Sequence, residues 1–528
     1  MRYIVNYYFV AFVLFVSVGT SLLGQQKDKQ INWYNTSKTG LQTEKAYSFL
    51  AKKKRISSTV IVGVIDSGVD LEHEDLQGKI WINSNEIPNN NIDDDNNGYI
   101  DDIHGWNFLG NAKGQNTQYA CFEKTRIYRS LRDKYERLEA KQVPSADKKE
   151  YEFFIKLKNE VKSEKAEYEG YKQQYEQLPM IIKYVPQIMS KLLNKTEYTL
   201  ADINKWKPKD DEEIELKSLA ISILNGELSE EIVAEQMEQI QAMLNYHLNL
   251  EYDDRALIGD NPSDFMQINY GNNDVEGIDA LHGTHVSGII GAIRKNGLGG
   301  DGVADNVRIM AIRAVPNGDE YDKDIALAIR YAVNNGAQII NMSFGKAYSA
   351  NQKEVYEALA YASSKGVLLV HAAGNDNKNI DIESNFPAVK YEFQQEKLPL
   401  LLTIGASTED AKGKLAADFS NYGQNSVDVF APGHDIYNTI PQSAYKKLDG
   451  TSMAAPMVAG VAALLKSYYP NLSMEQIKNI ILQSAKSYKT TKQLKPGTQE
   501  KVEFGTLSIT GGVVDVLQAV KLCEESVK

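Results

Sequence analysis

The chain has 528 residues, of which 42% are hydrophobic and 24% are charged. This length exceeds the usual size of one domain, so we expect a second compact unit or a large insertion. The net charge of −12 argues against nucleic acid as a partner, because binding nucleic acid requires a basic face.

The beginning of the chain is typical of an export signal. Met1 and Arg2 form a short positive start, Tyr7–Leu23 is an apolar run, and Gly24 ends a stretch of small residues. We predict a signal peptide over residues 1–24 and a periplasmic, cell-envelope or extracellular location. The alternative is an uncleaved signal anchor, because the run is nearly long enough to span a bilayer. After cleavage no stable membrane span is expected, since no second long apolar run follows.

The first predicted strand follows a short N-terminal segment, residues 25–58. Thr59–Ile65 is a β-branched run, which predicts a buried strand that ends just before Asp66.

An Asn/Asp-rich stretch follows this strand. Positions one, three, five and nine of a calcium-loop pattern are occupied by Asp93, Asp95, Asn97 and Asp101. Gly98 occupies the turn position, but His104 stands where an EF-hand has glutamate, so a complete EF-hand is disfavoured. Two interpretations stay open: a looser structural calcium loop with these four ligands, and a plain polar turn.

A long helical segment is predicted next, over residues 116–270. Side chains that recur at intervals of three and four are typical of amphipathic helices that pack in a coiled coil: Tyr128, Leu131, Tyr135, Leu138, Leu157, Val161, Tyr168, Tyr171, Tyr175 and Leu178. Pro144 and Pro179 predict breaks between helices, and Ser229 predicts the cap of a helix over Glu230–Leu244. We predict a helical hairpin or small bundle. It is either a charged arm without chemistry or a surface for a substrate or regulatory partner.

Strand and helix patterns alternate in the remainder of the chain. The predicted strands and helices are Val307–Ala314, Ile325–Asn334, Gln338–Ser343, Lys353–Lys365, Val367–Ala372 and Ala454–Tyr468. This alternation predicts an α/β domain over residues 59–115 and 271–528, in which helices cover both faces of a mostly parallel sheet. Active sites in such sheets lie at the carboxyl ends of the strands.

Four polar residues stand at strand ends and helix starts: Asp66, His282 in His-Gly-Thr-His, Asn375 in Ala-Gly-Asn, and Ser452 in Gly-Thr-Ser-Met-Ala-Ala-Pro. A serine hydroxyl needs a base to become nucleophilic, histidine is the base suited to neutral pH, and a carboxylate fixes the tautomer of that histidine. An asparagine amide and a backbone N–H at a helix N-terminus can stabilise a developing oxyanion. The order Asp, His, Ser therefore predicts acyl transfer by a catalytic triad.

Other chemistry has weaker support in the sequence. His282 and His285 could form a metal pair, but no third ligand lies nearby in the sequence. Cys121 and Cys523 lie outside any Cys-x-x-C or Cys/His cluster, which disfavours a zinc site or a cysteine nucleophile. Whether these two cysteines pair stays open. No cofactor is required for the predicted chemistry, although structural calcium is an open question.

The sequence resembles the subtilisin-like serine peptidases, or subtilase family, over Thr59–Gly110 and Gly277–Leu517. The resemblance implies a three-layer subtilisin-like fold and a secreted serine-type endopeptidase that forms an acyl-enzyme. It assigns roles to four residues: Asp66 orients the histidine, His282 is the general base, Ser452 is the nucleophile and Asn375 is the oxyanion-hole donor. The separation of Asp66 from His282 is far larger than in a minimal member, because the helical segment lies between them. The segment 25–58 is also shorter than the folded propeptide domain that many members carry, so the resemblance implies maturation without a long prosegment.

The resemblance also implies how a peptide would bind. The segment Asn341–Gly345 is similar to the family's edge strand, and the implied substrate-binding residues are Ser343, Phe344, Gly345, Ala373 and Gly374. The Phe386–Pro387 peptide, near the implied specificity pocket, is expected to be cis, and Met453 to be sensitive to peroxide. The expected partners are protein or peptide substrates, and the oligomeric state is undetermined. Three alternatives stay open: an inactive peptide-binding or scaffold protein, an esterase, and a peptide ligase.

Overall fold

The computed structural model describes residues 31–527, so the predicted signal peptide lies outside the described residues. The described chain divides into two compact units. Residues 124–252 form one, here called the helical unit, and the remaining described residues form the other, here called the sheet unit. The helical unit lies within the predicted segment 116–270, whose flanks belong to the sheet unit.

The strands, in chain order, are β1 Val60–Asp66, β2 Gly105–Asn107, β3 Val307–Arg313, β4 Ile339–Met342, β5 Leu368–Ala372, β6 Leu401–Ser407, β7 Val429–Pro432, β8 Ile436–Ile440, β9 Ala444–Leu448, β10 Lys486–Ser487, β11 Lys492–Leu494, β12 Lys501–Glu503 and β13 Gly512–Val513. The α-helices are α1 Trp33–Thr36, α2 Thr43–Lys52, α3 Glu123–Tyr135, α4 Lys148–Tyr175, α5 Leu178–Leu193, α6 Leu200–Lys205, α7 Asp211–Leu224, α8 Glu230–Ala242, α9 Arg255–Ile258, α10 Leu281–Gly291, α11 Asp322–Asn334, α12 Gln352–Ser364, α13 Thr451–Tyr468, α14 Met474–Ser484 and α15 Val516–Ser526.

A nine-stranded sheet organises the sheet unit, in the order β10-β13-β7-β6-β5-β4-β1-β3-β2. All neighbours pair in parallel except β10 and β13. Successive side chains of a strand point to opposite faces, so Leu368 and Val370 pack in the core with α13, whereas Leu369 packs in the core with α11 and α12. The predicted three-layer arrangement, with a mostly parallel sheet between helices, is confirmed.

Two element boundaries place the predicted site residues. Strand β1 includes Asp66 as its last residue. Helix α13 begins at Thr451, three residues before the predicted start, so Ser452 lies in its first turn. His282 is the second residue of α10. All three side chains therefore emerge where the chain changes from strand to loop or from loop to helix.

The helical unit buries only part of the predicted repeat. Phe154, Leu157 and Val161 of α4 are buried, but Tyr171 is 40% exposed. The predicted repeat is therefore packed in the first half of this helix and partly exposed in the second half, where Tyr168 and Tyr175 are half-buried. A tyrosine can present its hydroxyl to water, so tyrosines at helical spacing do not require a packing partner. The predicted cap is confirmed, because the Ser229 side chain accepts a hydrogen bond at the start of α8.

Two further sequence questions are answered by the structure. No disulfide joins Cys121 to Cys523, and both side chains are buried. Burial raises the pKa of the Cys523 thiol to about 12, which keeps it protonated and unreactive. Within residues 31–527, none of the helices is long and apolar enough to cross a bilayer.

Candidate active site

A short hydrogen bond joins the first two predicted triad residues. His282 Nδ1 lies 2.7 Å from Asp66 Oδ1, and the Asp66 side chain is buried at the end of β1. The same Asp66 oxygen accepts the backbone N–H of Ser67 at 2.8 Å. An ionised carboxylate can only accept, so Nδ1 of His282 carries the proton and Nε2 is left as the basic nitrogen.

A glycine lets these two residues approach. Gly283 follows His282 in α10, and a Cβ at this position would overlap the carbonyl oxygen of Gly68 and press on Asp66. The missing side chain therefore allows the first turn of α10 to pack against the loop after β1. This explains the glycine in the His-Gly-Thr-His motif.

Neighbouring carboxylates change the pKa of the His282 imidazole. Burial on its own lowers its pKa, but the carboxylate of Asp66 more than offsets this effect, and Asp279 adds to it, so the pKa is raised above its usual value. The His282 side chain is nevertheless 35% exposed, so a substrate can reach it. A raised pKa makes the imidazole a stronger proton acceptor near neutral pH.

The Ser452 side chain lies in the first turn of α13. Its Oγ donates to the carbonyl oxygen of Ser343 at 3.1 Å, and Ser343 Oγ donates back to the Ser452 carbonyl at 2.9 Å. The structure thus joins the nucleophile candidate to the predicted edge segment rather than to His282. A rotation about the Cα–Cβ bond of Ser452 would be needed to turn Oγ towards a base.

Two N–H donors converge beside Gly450. An ideal Cβ on this glycine would stand 3.4 Å from Ser452 N and 3.5 Å from Asn375 Nδ2. Because glycine has no side chain, this position is left free, and its third neighbour is the sulfur of Met453 at 3.6 Å. The backbone N–H of Ser452 has no intrahelical acceptor, since it lies in the first turn of a helix. Two donors around one open position are the arrangement that stabilises an oxyanion.

The loop that carries Asn375 is held by a residue that the sequence did not single out. Asn421 donates through Nδ2 to the Ala373 carbonyl at 2.9 Å, and its Oδ1 accepts the N–H groups of Asp376 and Lys378 at 3.1 and 2.8 Å. These bonds fix the turn on both sides of Asn375. Asn421 follows Ser420 in a stretch without a motif, so no sequence signal marked it.

A cleft of about 300 Å³ lies beside the Asp–His pair, and among its lining residues are Asp66, Asp279, His282, Glu320, Ser343, Phe344 and Gly345. Three predicted substrate-binding residues, Ser343, Phe344 and Gly345, therefore line it. No hydrogen bond among the described residues uses the N–H or C=O of Gly345. Such unpaired backbone groups are what an added β-strand requires.

The remaining predicted binding residues belong to the loop after β5. The Ala373 carbonyl accepts from the side chains of Asn385 and Asn421. Gly374 donates its N–H to Thr451 Oγ1 at 3.0 Å. Both residues therefore serve here to hold the loop that carries Asn375. The Phe386–Pro387 peptide is cis, as expected.

The second histidine of the motif faces away from the site. His285 Nε2 lies 3.0 Å from the Ile436 carbonyl and 3.1 Å from the Lys446 carbonyl, and the side chain is fully buried. Burial lowers its pKa to about 4, so the ring is neutral and donates to these oxygens. Neither His282 nor His285 belongs to a group of three or more possible metal ligands among residues 31–527, which argues against a His282–His285 metal pair.

The sequence comparisons agree with this geometry. The profile of the subtilase family matches residues 219–505, just over half of the chain. Subtilisin DY from Bacillus licheniformis is 37% identical over 206 residues, which cover 39% of this chain and 70% of that protein. The chain belongs to the subtilase family.

The matches to this subtilase are partial. The profile match contains His282, Asn375 and Ser452, while Asp66 lies before it. A thermophilic serine proteinase from Bacillus sp. (strain AK1) is 43% identical over 197 residues, which cover 37% of this chain and 45% of that protein. The match thus spans less than half the length of that relative. A protease from Pseudoalteromonas arctica, known as a solved structure, aligns over 93% of this chain and 97% of its own, with 19% identity and a TM-score of 0.46.

The Asn/Asp-rich stretch of the subtilase brings three carboxylates together. Oxygens of Glu86, Asp95 and Asp102 all lie within 4.8 Å of one another. Burial raises the pKa of Glu86, and it raises the pKa of Asp102 to about 6. Carboxylate oxygens are the ligands that Ca²⁺ prefers, and a cation would offset the cost of burying Glu86 and Asp102 beside the half-buried Asp95. The group fits a hard divalent cation.

This group differs from the predicted calcium set, with which it shares only Asp95. Asp93 accepts the backbone N–H groups of Asn97 and Gly98, at 3.0 and 2.8 Å. Asp101 accepts those of Asn90 and Asn91, at 3.2 and 2.9 Å. Asn97 donates its side-chain amide to Asp102 at 3.0 Å. These residues hold the loop, whereas the buried carboxylates come from Glu86 before it and Asp102 at its end.

Proposed function

We propose that this protein is an exported serine endopeptidase that hydrolyses peptide bonds through Asp66, His282 and Ser452. The observation that carries the proposal is the 2.7 Å bond between His282 Nδ1 and Asp66 Oδ1. This bond leaves Nε2 as a proton acceptor on an exposed edge of the ring, which is what a general base needs. Family membership supports the same reaction class.

In the proposed first step, Ser452 attacks the carbonyl carbon of a peptide bond. Its Oγ turns from the Ser343 carbonyl towards His282, and the hydroxyl proton passes to Nε2 as the Oγ–C bond forms. Asp66 stabilises the resulting imidazolium. The negative charge that develops on the carbonyl oxygen is placed between the N–H of Ser452 and the amide of Asn375.

The following steps complete the hydrolysis. The imidazolium of His282 gives its proton to the leaving amine as the C–N bond breaks, and an ester with Ser452 remains. A water molecule then attacks this ester and transfers a proton to Nε2. The acid product leaves, and the proton returns to Oγ of Ser452. No cofactor takes part in these steps.

The substrate is proposed to bind as an extended strand along Ser343–Gly345. The unpaired backbone groups of Gly345 would hydrogen-bond to the peptide, and the cleft beside His282 would receive its side chains. This binding mode suits peptides better than small esters. It supports a role in protein hydrolysis rather than a purely structural role.

A fluorophosphonate probe tests the proposal, because it forms a covalent bond only with an activated serine. The full chain is expected to gain one probe by intact mass, and Ser452→Ala is expected to gain none. Ser526→Ala, which changes an exposed serine of α15, is the matched control and should label as wild type. An unlabelled but folded wild-type protein would favour the alternative, an inactive peptide-binding subtilase.

Two further parts of the proposal concern export and calcium. The segment 1–24 supports export through a cleaved signal peptide, and sequencing the N-terminus of protein recovered from the cell envelope or medium tests it.

We further propose that Glu86, Asp95 and Asp102 hold a structural Ca²⁺. Bound there, the ion would fix the loop between β1 and β2 and take no part in catalysis.

A further inference from the structure

A buried lysine connects two segments that line the cleft. Lys346 follows Gly345 in sequence, and only 1% of its side chain is exposed. Its Nζ donates to the backbone carbonyl of Glu320 at 2.7 Å. Gly345 and Glu320 both line the cleft but come from different parts of the chain. One side chain therefore ties the segment 343–345 to the segment 316–320.

Two carboxylates balance the charge of this lysine. Lys346 Nζ lies 2.8 Å from Asp322 Oδ1 and 3.3 Å from Glu123 Oε2, and all three side chains are buried. A buried cation is tolerated only with such partners. The same pairing explains why Lys346 is held in one position: each of its donors points at a fixed acceptor.

The backbone of Lys346 is fixed as well. Its N–H donates to the Phe386 carbonyl at 3.0 Å, and its carbonyl accepts the Phe386 N–H at 2.8 Å. The edge segment is thus anchored at its end by a backbone pair and a buried ionic group, while Gly345, one residue earlier, keeps its backbone groups available. A shift of Lys346 would move Gly345 directly.

One member of this ionic group, Glu123, lies at a boundary of the sheet unit. Glu123 is the last residue of the sheet unit before the helical unit begins. Its second carboxylate oxygen accepts the Ala350 N–H at 3.2 Å, and its own N–H donates to Asp319 Oδ2 at 2.8 Å. Glu123 is therefore hydrogen-bonded both to Asp319, just before Glu320, and to Ala350, shortly after Lys346.

The point where the chain returns is tied to the same helix. Helix α11 begins with Asp322, Lys323 and Asp324, all buried. Lys323 pairs with Asp260 at 2.9 Å, and Asp324 pairs with Arg255 at 2.7 Å. The sheet-unit residues on both sequence flanks of the helical unit thus pair with residues at or next to the first turn of α11, which closely follows the cleft segment 316–320.

We propose that Lys346 is a positioning residue for extended peptide substrates: with its partners Asp322 and Glu123, it fixes the segment 343–345 relative to the segment 316–320. This inference rests on the proposed endopeptidase function. A peptide that fills the cleft needs both segments in their correct relative positions, whereas a small ester that reaches only Ser452 depends on these positions much less.

The test compares two substrates in the full chain, a tetrapeptide anilide and a single-residue ester. In Lys346→Met the ratio of peptide to ester kcat/KM is expected to fall at least tenfold, mainly through a higher KM for the peptide. Lys346→Arg keeps the positive charge, so its ratio of peptide to ester kcat/KM should lie between those of Lys346→Met and wild type. Glu123→Gln should lower it about threefold, because Asp322 still holds the lysine. Lys353→Met, at an exposed ion pair with Glu357, should stay within twofold of wild type.

The outcomes separate this inference from the proposed function. An unchanged ratio in folded Lys346→Met, or an equal loss on both substrates, would overturn the positioning role. If that variant does not fold, an unchanged ratio in folded Glu123→Gln has the same consequence. A wild-type protein that hydrolyses neither substrate and does not react with the fluorophosphonate would overturn the proposed function itself, and this inference with it.

Discussion

The side-chain oxygen of Asn375 is held by Thr451. The backbone N–H and the hydroxyl of Thr451 each donate to Asn375 Oδ1 at 2.8 Å. Because a backbone N–H can only donate, the amide oxygen must face Thr451, and the amide nitrogen must face the open side of Gly450. Thr451 directly precedes Ser452, so the turn that presents the proposed nucleophile also orients the second proposed oxyanion donor.

The first prediction concerns this pair. Asn375→Ala is expected to lower kcat about 10²–10³-fold with little change in KM, because the donor acts only on the developing oxyanion. Thr451→Val removes one of the two orienting bonds and should lower kcat by roughly tenfold, on the scale of one hydrogen bond to a polar group. Thr451→Ser keeps the hydroxyl and serves as the control. A change confined to KM in any of these variants would contradict the assignment.

The second prediction concerns the pH dependence of activity. The general base must be neutral, and the carboxylate of Asp66 raises the pKa of His282 above its usual value near 6.5. Activity should therefore rise with pH through a single ionisation that lies above 6.5. Asp66→Asn should move this ionisation to lower pH and reduce kcat about 10⁴-fold, because the ring loses its oriented tautomer.

This profile is measured as kcat/KM against pH, which reports ionisations of the free enzyme. Glu276→Gln, at a glutamate not in contact with the histidine, is a suitable control for a general change of charge. An acid limb that does not move in Asp66→Asn would show that another group limits the reaction.

The third prediction concerns stability in acid. His285 and His371 are buried, and burial lowers the pKa of each from 6.5 to about 4. In the unfolded chain each binds a proton below about 6.5, while the folded protein excludes it down to about 4. The unfolded state thus binds more protons in this window, so the free energy of unfolding should decrease as pH falls from 6.5 to 4. Each histidine contributes roughly 3 kcal/mol at most.

Denaturant titrations at several pH values check this expectation. His371 Nε2 lies 2.9 Å from the Phe344 carbonyl, so His371→Gln keeps a donor and removes the titration. This variant should lose less stability between pH 6.5 and pH 4 than wild type. An equal loss would mean that other groups cause the acid sensitivity.

The fourth prediction concerns calcium. A cation bound by Glu86, Asp95 and Asp102 stabilises only the folded state, by about 2.7 kcal/mol at a concentration of 100 Kd. Chelation should therefore lower Tm by a few degrees, at roughly 1–2 °C per kcal/mol for a domain of this size, because the entropy of unfolding grows with chain length. Glu86→Gln should abolish the response to chelator. Asp449→Asn, in an exposed group with His434, is the control and should leave the response intact. A melting curve that is unchanged by chelator would contradict the proposal that calcium stabilises the fold.

The fifth prediction concerns oxidation. Met453 follows the nucleophile and is buried, with its sulfur near Gly450 and the oxyanion donors. Oxidation to the sulfoxide would place a polar oxygen beside the position of the substrate carbonyl. Peroxide should therefore inactivate the enzyme, and Met453→Leu should resist. Equal inactivation of both proteins would point to another methionine.

The proposed catalytic residues could be predicted from the sequence because local patterns mark them. Asp66 ends a β-branched run, His282 and Ser452 begin apolar helices next to glycines, and parallel strands bring their carboxyl ends to one edge. The positions of these elements were predicted to within a few residues. Asn421, by contrast, has no local pattern, since its partners lie more than forty residues away.

The helical unit shows the limits of periodicity. The cap at Ser229 depends on its own turn and was predicted from the sequence, whereas the burial of Tyr168, Tyr171 and Tyr175 depends on which helix packs alongside. Tyrosines at helical spacing are compatible with either a packed or a solvated face, so the spacing could not decide between them. The predicted calcium ligands have the same limitation. Asp93 and Asp101, which are close together in sequence, accept backbone N–H groups of the loop, and the carboxylate group that the structure brings together includes Glu86 instead.

By itself the sequence determined the α/β class, the family and the four residues of the proposed chemistry, because short motifs and strand patterns encode these locally. Only the tertiary structure decided which way the Asn375 amide faces, which carboxylates cluster, and that Lys346 ties two cleft segments to Asp322 and Glu123. These features are contacts between residues far apart in the chain. A buried charge or an oriented amide is defined by its partners, and those partners meet only when the chain has folded.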